Sequence, residues 1–78
     1  MSGRVETTLC VGKLPYPVGT LVVDAVSERT GCLMWVLEER TKEKNRLLKS
    51  QAFMRPPGGG IEWDVPLEPV MRVEEPER

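Results

Sequence analysis

The sequence contains no histidine, two cysteines and few aromatic residues, namely two Trp, one Tyr and one Phe in 78 residues. Histidine is the usual general base near neutral pH and the commonest metal ligand. Cys10 and Cys32 have neither the CxxC spacing of a redox motif nor the two-pair spacing of a zinc site. We therefore expect no enzyme activity, no cofactor and no metal, with Cys32 as a small apolar strand residue.

Long apolar runs are also missing. The longest, from Cys32 to Leu37, has six residues, far below the roughly 20 that cross a bilayer. The first residues lack the apolar region of a signal peptide. These features favour a cytoplasmic protein, in which a disulfide between the two cysteines is not expected. A chain of this length provides one domain, which buries only about 60% of its unfolded surface.

What the sequence does contain is a series of strand and turn signals. The β-branched segment 20–26 predicts a strand. The polar segment 27–31 ends in Gly31 and has the length of a hairpin loop, and 32–37 is the returning strand. Together these segments predict a β-hairpin.

Residues 38–46 are charged and polar, and they allow two interpretations. A helix over 33–51 would have no apolar anchor in its middle, whereas a second hairpin would place 38–46 at its tip and 47–55 in its return strand. The hairpin is favoured. Two inward-facing sets remain open for the return strand, Leu47/Phe53 and Leu48/Ala52/Met54.

The segment from Pro56 to Val65 combines two prolines and three glycines with an alternating face. It predicts a tight turn with positive φ angles, then a short strand that buries Ile61, Trp63 and Val65. Glu62 and Asp64 are expected in solvent. Pro66 and Pro69 permit a single 3₁₀ turn before a short closing strand at 71–73.

These elements predict an all-β fold, a small SH3-like, five-stranded, partly open barrel with a 3₁₀ turn before its last strand. We divide the chain into a flexible N-terminal arm at 1–14 with room for a short edge strand, the barrel at 15–73 and an acidic C-terminal tail at 74–78.

The segments PVGTLVVDAVSERTGCLM, FMRPPGGGIEWDV and PLEPVMRV resemble a group of small uncharacterised actinobacterial SH3-like proteins that share a (Leu/Met)-Arg-Pro-Pro-x-Gly-Gly-x-Glu-Trp segment. The resemblance covers about residues 17–73, and an insertion at 38–50 departs from it. It implies the fold and an actinobacterial source, without an activity. The Gly19-x-x-Val22-x-Asp24 opening is also similar to KOW-type SH3 modules, which bind nucleic acid or ribosome-associated partners.

The charge is unevenly distributed, although the net charge is only −1. The segment from Arg40 to Arg55 is basic, and the segment from Ile61 onward is acidic. Tyr16, flanked by prolines, is expected to be the most exposed aromatic residue, with Phe53 and Trp63 in the core. The candidate partner contacts are therefore Tyr16, Arg40, Lys42, Lys44, Arg46, Lys49 and Arg55.

The sequence thus predicts a non-catalytic binding or accessory module for a protein partner. The alternative is a nucleic-acid-binding module that uses the basic stretch 40–55, although the pI of about 5.4 lies well below the values typical of such domains. A third possibility is self-association through exposed edge strands.

Overall fold

The computed structural model describes residues 5–73, and these form six β-strands without a helix. The strands are β1 (Thr7–Val11), β2 (Leu21–Asp24), β3 (Arg29–Thr41), β4 (Leu47–Arg55), β5 (Trp63–Pro66) and β6 (Val70–Arg72). The predicted all-β class is confirmed. In this part of the chain, no helix has the length and apolar character to cross a membrane. The predicted tail at 74–78 lies outside the described residues.

All strands belong to one antiparallel sheet in the order β5-β4-β3-β2-β6, and β1 pairs with β3 beside this path. The sheet is not closed into a barrel. Both β1 and β2 use the same long strand, β2 at Arg29–Cys32 and β1 at Leu37–Thr41. The short edge strand allowed by the sequence in the N-terminal arm is therefore β1.

The first hairpin forms as predicted, but its turn comes earlier. β2 ends at Asp24, and the turn occupies 25–28, where Glu28 has a φ of 63°. Asp24 explains this position, because its carboxylate accepts hydrogen bonds from the amides of Val26 and Ser27 at 3.3 Å and from the Ser27 hydroxyl at 2.7 Å. Gly31, predicted to close the turn, instead lies buried within β3.

The alternative prediction of a helix over 33–51 is wrong, and the predicted second hairpin is confirmed. Its return strand has the predicted bounds. The tip is shorter than the predicted 38–46 because β3 continues to Thr41, where β1 pairs with it. Asn45, with a φ of 55°, and a hydrogen bond from its amide to the Thr41 carbonyl close the tip.

Two irregularities in the β3–β4 pairing determine which side chains face the core. Leu33 pairs with Met54 and Trp35 with Phe53, so Met34 is an extra residue in β3. This bulge interrupts the alternation, since Leu33 and Val36 are both buried. A second irregularity lies between Glu39 and Arg40.

The core lies on one face of the sheet, at the end where β2 and β6 pair. Its buried members are Val22, Leu33, Ala52, Met54 and Val70. Ala52 and Met54 belong to the second of the two inward sets left open by the sequence. Leu48, the third member of that set, is exposed.

Trp63 packs against this core, and it explains the buried Gly31. A Cβ atom at Gly31 would lie 2.5 Å from the Trp63 Cη2 atom, so no larger residue fits without a shift. The Arg29 guanidinium lies 3.7 Å from the centroid of the same indole. Val65 also packs against the core as predicted.

The prediction for Ile61 is wrong, because its side chain is 87% exposed. Gly58, Gly59 and Gly60 all have positive φ angles, as expected for the turn. This turn delays the strand, which begins only at Trp63. Ile61 therefore precedes the regular alternation that would have turned it inward.

We divide the molecule into two regions. The base comprises 12–36 and 52–73, and contains every buried residue of the described chain. The finger comprises 7–11 and 37–51, and consists of β1, the distal halves of β3 and β4, and the turn that joins them. No residue of the finger is buried.

Candidate functional site

The predicted contact residues do not form one surface. Tyr16 is partly buried and packs against the core, as Trp63 does. Arg55 lies at the base end of β4, where its guanidinium is 4.0 Å from the Glu62 carboxylate. The remaining candidates belong to the finger.

Within the finger, acidic neighbours offset part of the basic run. Arg40 Nε donates to Glu38 Oε1 at 2.9 Å, and Arg40 Nη1 donates to the carbonyl of Asn45 at 2.9 Å. Lys49 lies directly opposite Glu39 on the neighbouring strand. Arg40 therefore has a role in holding the hairpin end, and Lys49 has an acidic neighbour within its own sheet.

The basic residues that remain at the exposed tip are Lys42, Lys44 and Arg46, and Glu43 lies among them. Arg55 is separated from this group by nearly the whole of β4, which extends about 3.3 Å per residue. The basic stretch 40–55 is thus a small cationic tip with a separate cation far from it.

The most distinctive exposed feature lies on the face opposite the core. The rings of Trp35 and Phe53 stack with centroids 4.1 Å apart and an interplanar angle of 7°. Both are only partly buried. Their paired positions alternate with the buried Met54 and Ala52, which directs the rings away from the core. The prediction of Phe53 as a core residue is therefore wrong.

This aromatic pair continues into the finger. Leu37 follows Trp35 on the same face and pairs with Val11, and Leu9 lies two residues further along β1. Val11 is 74% exposed and Leu9 is 62% exposed. We call this set the outer patch, comprising Leu9, Val11, Trp35, Leu37 and Phe53. Sequence reasoning missed it because the Met34 bulge and the β1–β3 pairing together create it.

A cleft of about 680 Å³ lies between the first half of β4 and the Pro66–Val70 segment. It is open to solvent. Its apolar walls come from the start of β4, the Pro66–Val70 segment and the loop before β2, through Pro15, Leu47, Leu48, Pro66, Leu67 and Val70.

The charged groups do not form a catalytic arrangement around this cleft. Lys49 and Glu68 are its charged lining residues. Asp64 is exposed, as expected, and accepts a hydrogen bond from Gln51 Nε2 at 2.7 Å. Residues 5–73 contain no group of three or more potential metal-ligating side chains.

Asp24 is the carboxylate whose environment is most distinctive. The pKa of Asp24 is lowered from its ordinary value of 3.8, chiefly by the hydrogen bond from the Ser27 hydroxyl. Desolvation opposes this shift, and the hydrogen bonds from the amides of Val26 and Ser27 add to it. Since these bonds close the β2–β3 turn, we assign Asp24 a structural role.

Comparisons of the chain with protein-family models, with curated proteins and with solved structures gave no match. The function is therefore argued from the geometry alone.

Proposed function

We propose that this protein is a non-catalytic binding module that engages a protein partner through the outer patch. The stacked Trp35–Phe53 pair carries the proposal. Aromatic residues dominate the energetics of protein interfaces, because each supplies a large, rigid contact area. Here two such rings lie together on the solvent side of a sheet whose other side holds the core.

The charges around the patch suggest the chemistry of the partner. Lys42, Lys44 and Arg46 project at the end of the finger, beyond the apolar surface of Leu37 and Leu9. A partner with an apolar contact surface and an acidic rim would meet both features, with the cationic tip increasing the rate of association. The rate of association with such a partner is therefore expected to rise as the salt concentration falls.

Nucleic-acid binding through the basic stretch 40–55 is the second candidate, and the tip is the observation that favours it. Two observations weigh against this candidate. Glu38 and Glu39 partly neutralise Arg40 and Lys49, and Arg55 is too far from the tip to join one phosphate-binding row.

We also propose that the base is related to SH3-like rolls. Strands β2 to β5 form a meander, β6 returns to pair with β2, and a turn precedes β6. In that turn, the Val70 amide donates to the Leu67 carbonyl at 2.9 Å, an i to i+3 hydrogen bond that both a single 3₁₀ turn and a β-turn make. A relationship to the small actinobacterial proteins and a cytoplasmic location complete this proposal.

The test is a pull-down from the native cytosol with three forms of the protein. The wild type should retain a protein partner with or without nuclease treatment. Phe53→Gln should lose that partner, since it removes one ring of the outer patch. Ile61→Gln is the matched control, because Ile61 is more exposed than any patch residue and lies in the glycine-rich turn; it should retain the partner.

Nucleic acid is tested separately with a mobility shift at low salt. Phosphate contacts would give a log–log salt slope of about −0.9 for each phosphate neutralised on duplex DNA. The combined change Lys42→Ala, Lys44→Ala and Arg46→Ala would flatten that slope by up to about three units. We expect no shift with duplex or single strands. A shift that this triple variant abolishes would reassign the function to nucleic-acid binding.

A further inference from the structure

The unpaired edge of β1 is the feature that leads beyond the proposed function. One edge of β1 pairs with β3 over all five residues, and no described residue pairs with the other. Proteins commonly protect such edges with charges, prolines or bulges. Thr7–Val11 has the sequence TTLCV, which contains none of these.

The direction of each backbone group follows from the hydrogen bonds at the ends of β1. The Gly12 amide donates to the Val36 carbonyl at 2.8 Å, and the Glu6 carbonyl accepts from the Lys42 amide at 3.0 Å. Antiparallel pairs alternate between hydrogen-bonded and non-hydrogen-bonded positions. The backbone amides and carbonyls of Thr8 and Cys10 therefore also point toward β3. Thr7, Leu9 and Val11 therefore direct their amides and carbonyls to the free edge.

From this geometry we infer that the protein forms a homodimer in which β1 pairs antiparallel with β1 of a second copy. The two-fold axis passes through Leu9, so that Leu9 lies opposite Leu9 and Thr7 opposite Val11. Each hydrogen-bonded pair exchanges two bonds, which joins the two sheets into one.

Three features make a second copy the fitting occupant. The outward-facing residues are spaced symmetrically about Leu9, so one strand complements itself without a gap. The antiparallel arrangement also brings the Glu6 end of one copy beside the Lys13 end of the other. Finally, the axis is perpendicular to the sheet, so Leu9 and Val11 of both copies lie on the same face and the two outer patches become continuous.

Disulfide trapping tests the register directly, in a background with Cys10→Ser and Cys32→Ser. Leu9→Cys should give an oxidised dimer, because opposed Cα atoms about 5.5 Å apart lie within the range for a disulfide. Thr7→Cys alone should not, since the two thiols would lie about 13 Å apart along the strands. Thr7→Cys combined with Val11→Cys should restore the cross-link.

Sedimentation of the unmodified chain tests the dimer without cross-linking. We expect a concentration-dependent dimer, weakened at least about tenfold by Leu9→Lys, because two like charges would then face each other. Ile61→Lys makes the same charge change away from the edge and should leave the dimer intact. A monomer at all concentrations, a dimer that Leu9→Lys does not weaken, or equal cross-linking of Leu9→Cys and Thr7→Cys would overturn the proposal.

The two proposals fail independently. Phe53→Gln removes a ring on β4, away from the β1 edge, and should dimerise as the wild type does even though it loses the protein partner. A Phe53→Gln chain that becomes monomeric would show that the outer face, rather than the β1 edge, holds the two copies together, and it would also overturn the edge-pairing proposal.

Discussion

The base and the finger share β3 and β4 but use these strands in opposite ways. In the base, the strands bury Leu33 and Met54 completely between the sheet and the segments that fold over it. In the finger, the same strands and β1 bury no residue. Isolated two-stranded hairpins are marginally stable in water, and three strands need a hydrophobic face. The comparison indicates that the base stabilises the fold, while the finger extends, through Leu9, Val11 and Leu37, the apolar surface that begins at the stacked pair of the base.

The largest difference is expected from two leucines of β3. Leu33→Ala should destabilise the protein by about 2–5 kcal/mol, because it opens a cavity in the core. Leu37→Ala removes the same atoms from the finger, where the side chain is only partly buried, and should cost less than about 1 kcal/mol. Urea denaturation of both variants measures the difference. Equal losses would show that the finger has a core of its own.

A similar contrast applies to two tightly packed glycines of the base, one beside the core and one against the Glu38 side chain of the finger. Gly31→Ala places a Cβ atom 2.5 Å from the Trp63 ring and 3.1 Å from the Arg55 carbonyl, and overpacking of this kind costs about 1–3 kcal/mol. Gly12→Ala meets the Glu38 side chain at 2.6 Å, but that side chain can move. It should cost less than about 1 kcal/mol. Thermal unfolding that ranked the two variants in the opposite order would contradict this view of the base.

The pH dependence of stability should come from the base turn. Because the pKa of Asp24 is lower in the folded state, its contribution is present above the ordinary value and is lost as the pH falls through the folded value. The stability advantage of the wild type over Asp24→Asn should therefore shrink in acid. Asp64→Asn, which replaces an exposed carboxylate outside this turn, is the matched control variant. Denaturant midpoints measured from neutral pH into acid provide the test.

The smallest effect is expected at the ion pair of the finger. Glu38→Gln removes the partner of Arg40, but both side chains are partly exposed, and such pairs contribute about 0–1 kcal/mol. The loss of stability caused by Glu38→Gln should be smaller still at high salt, where the ion pair is screened. A salt-independent loss of several kcal/mol in denaturant titrations would mean that the finger depends on this contact.

The sequence was informative where local signals decide the structure. The bounds of β4 and the glycine turn at 58–60 followed from composition and turn chemistry, as did the choice of a hairpin over a helix. Two features could not be read from local patterns. The partner of β1 depends on a pairing with residues some 30 positions away, and Ile61 belongs to an alternating pattern that starts before the strand itself.

The outer patch is the clearest case of a hidden feature. Simple alternation along β3 would place Leu33, Trp35 and Leu37 on one face. The extra residue Met34 separates Leu33 from the other two, and no residue type marks the bulge in advance. The sequence therefore predicted basic contact residues, whereas the structure presents an aromatic pair.

The Met34 bulge also determines how the chain tolerates changes in length. Without Met34, Trp35 would follow Leu33 directly and still lie opposite Phe53, so a deletion at this position preserves the facing of every residue beyond it. A deletion between 35 and 37 would instead exchange the faces of the distal strand. Since bulges bend strands and increase their twist, loss of Met34 would alter the direction in which the finger projects. Met34 thus determines the direction in which the finger projects, without changing which side chains of the finger lie on the outer face of the sheet.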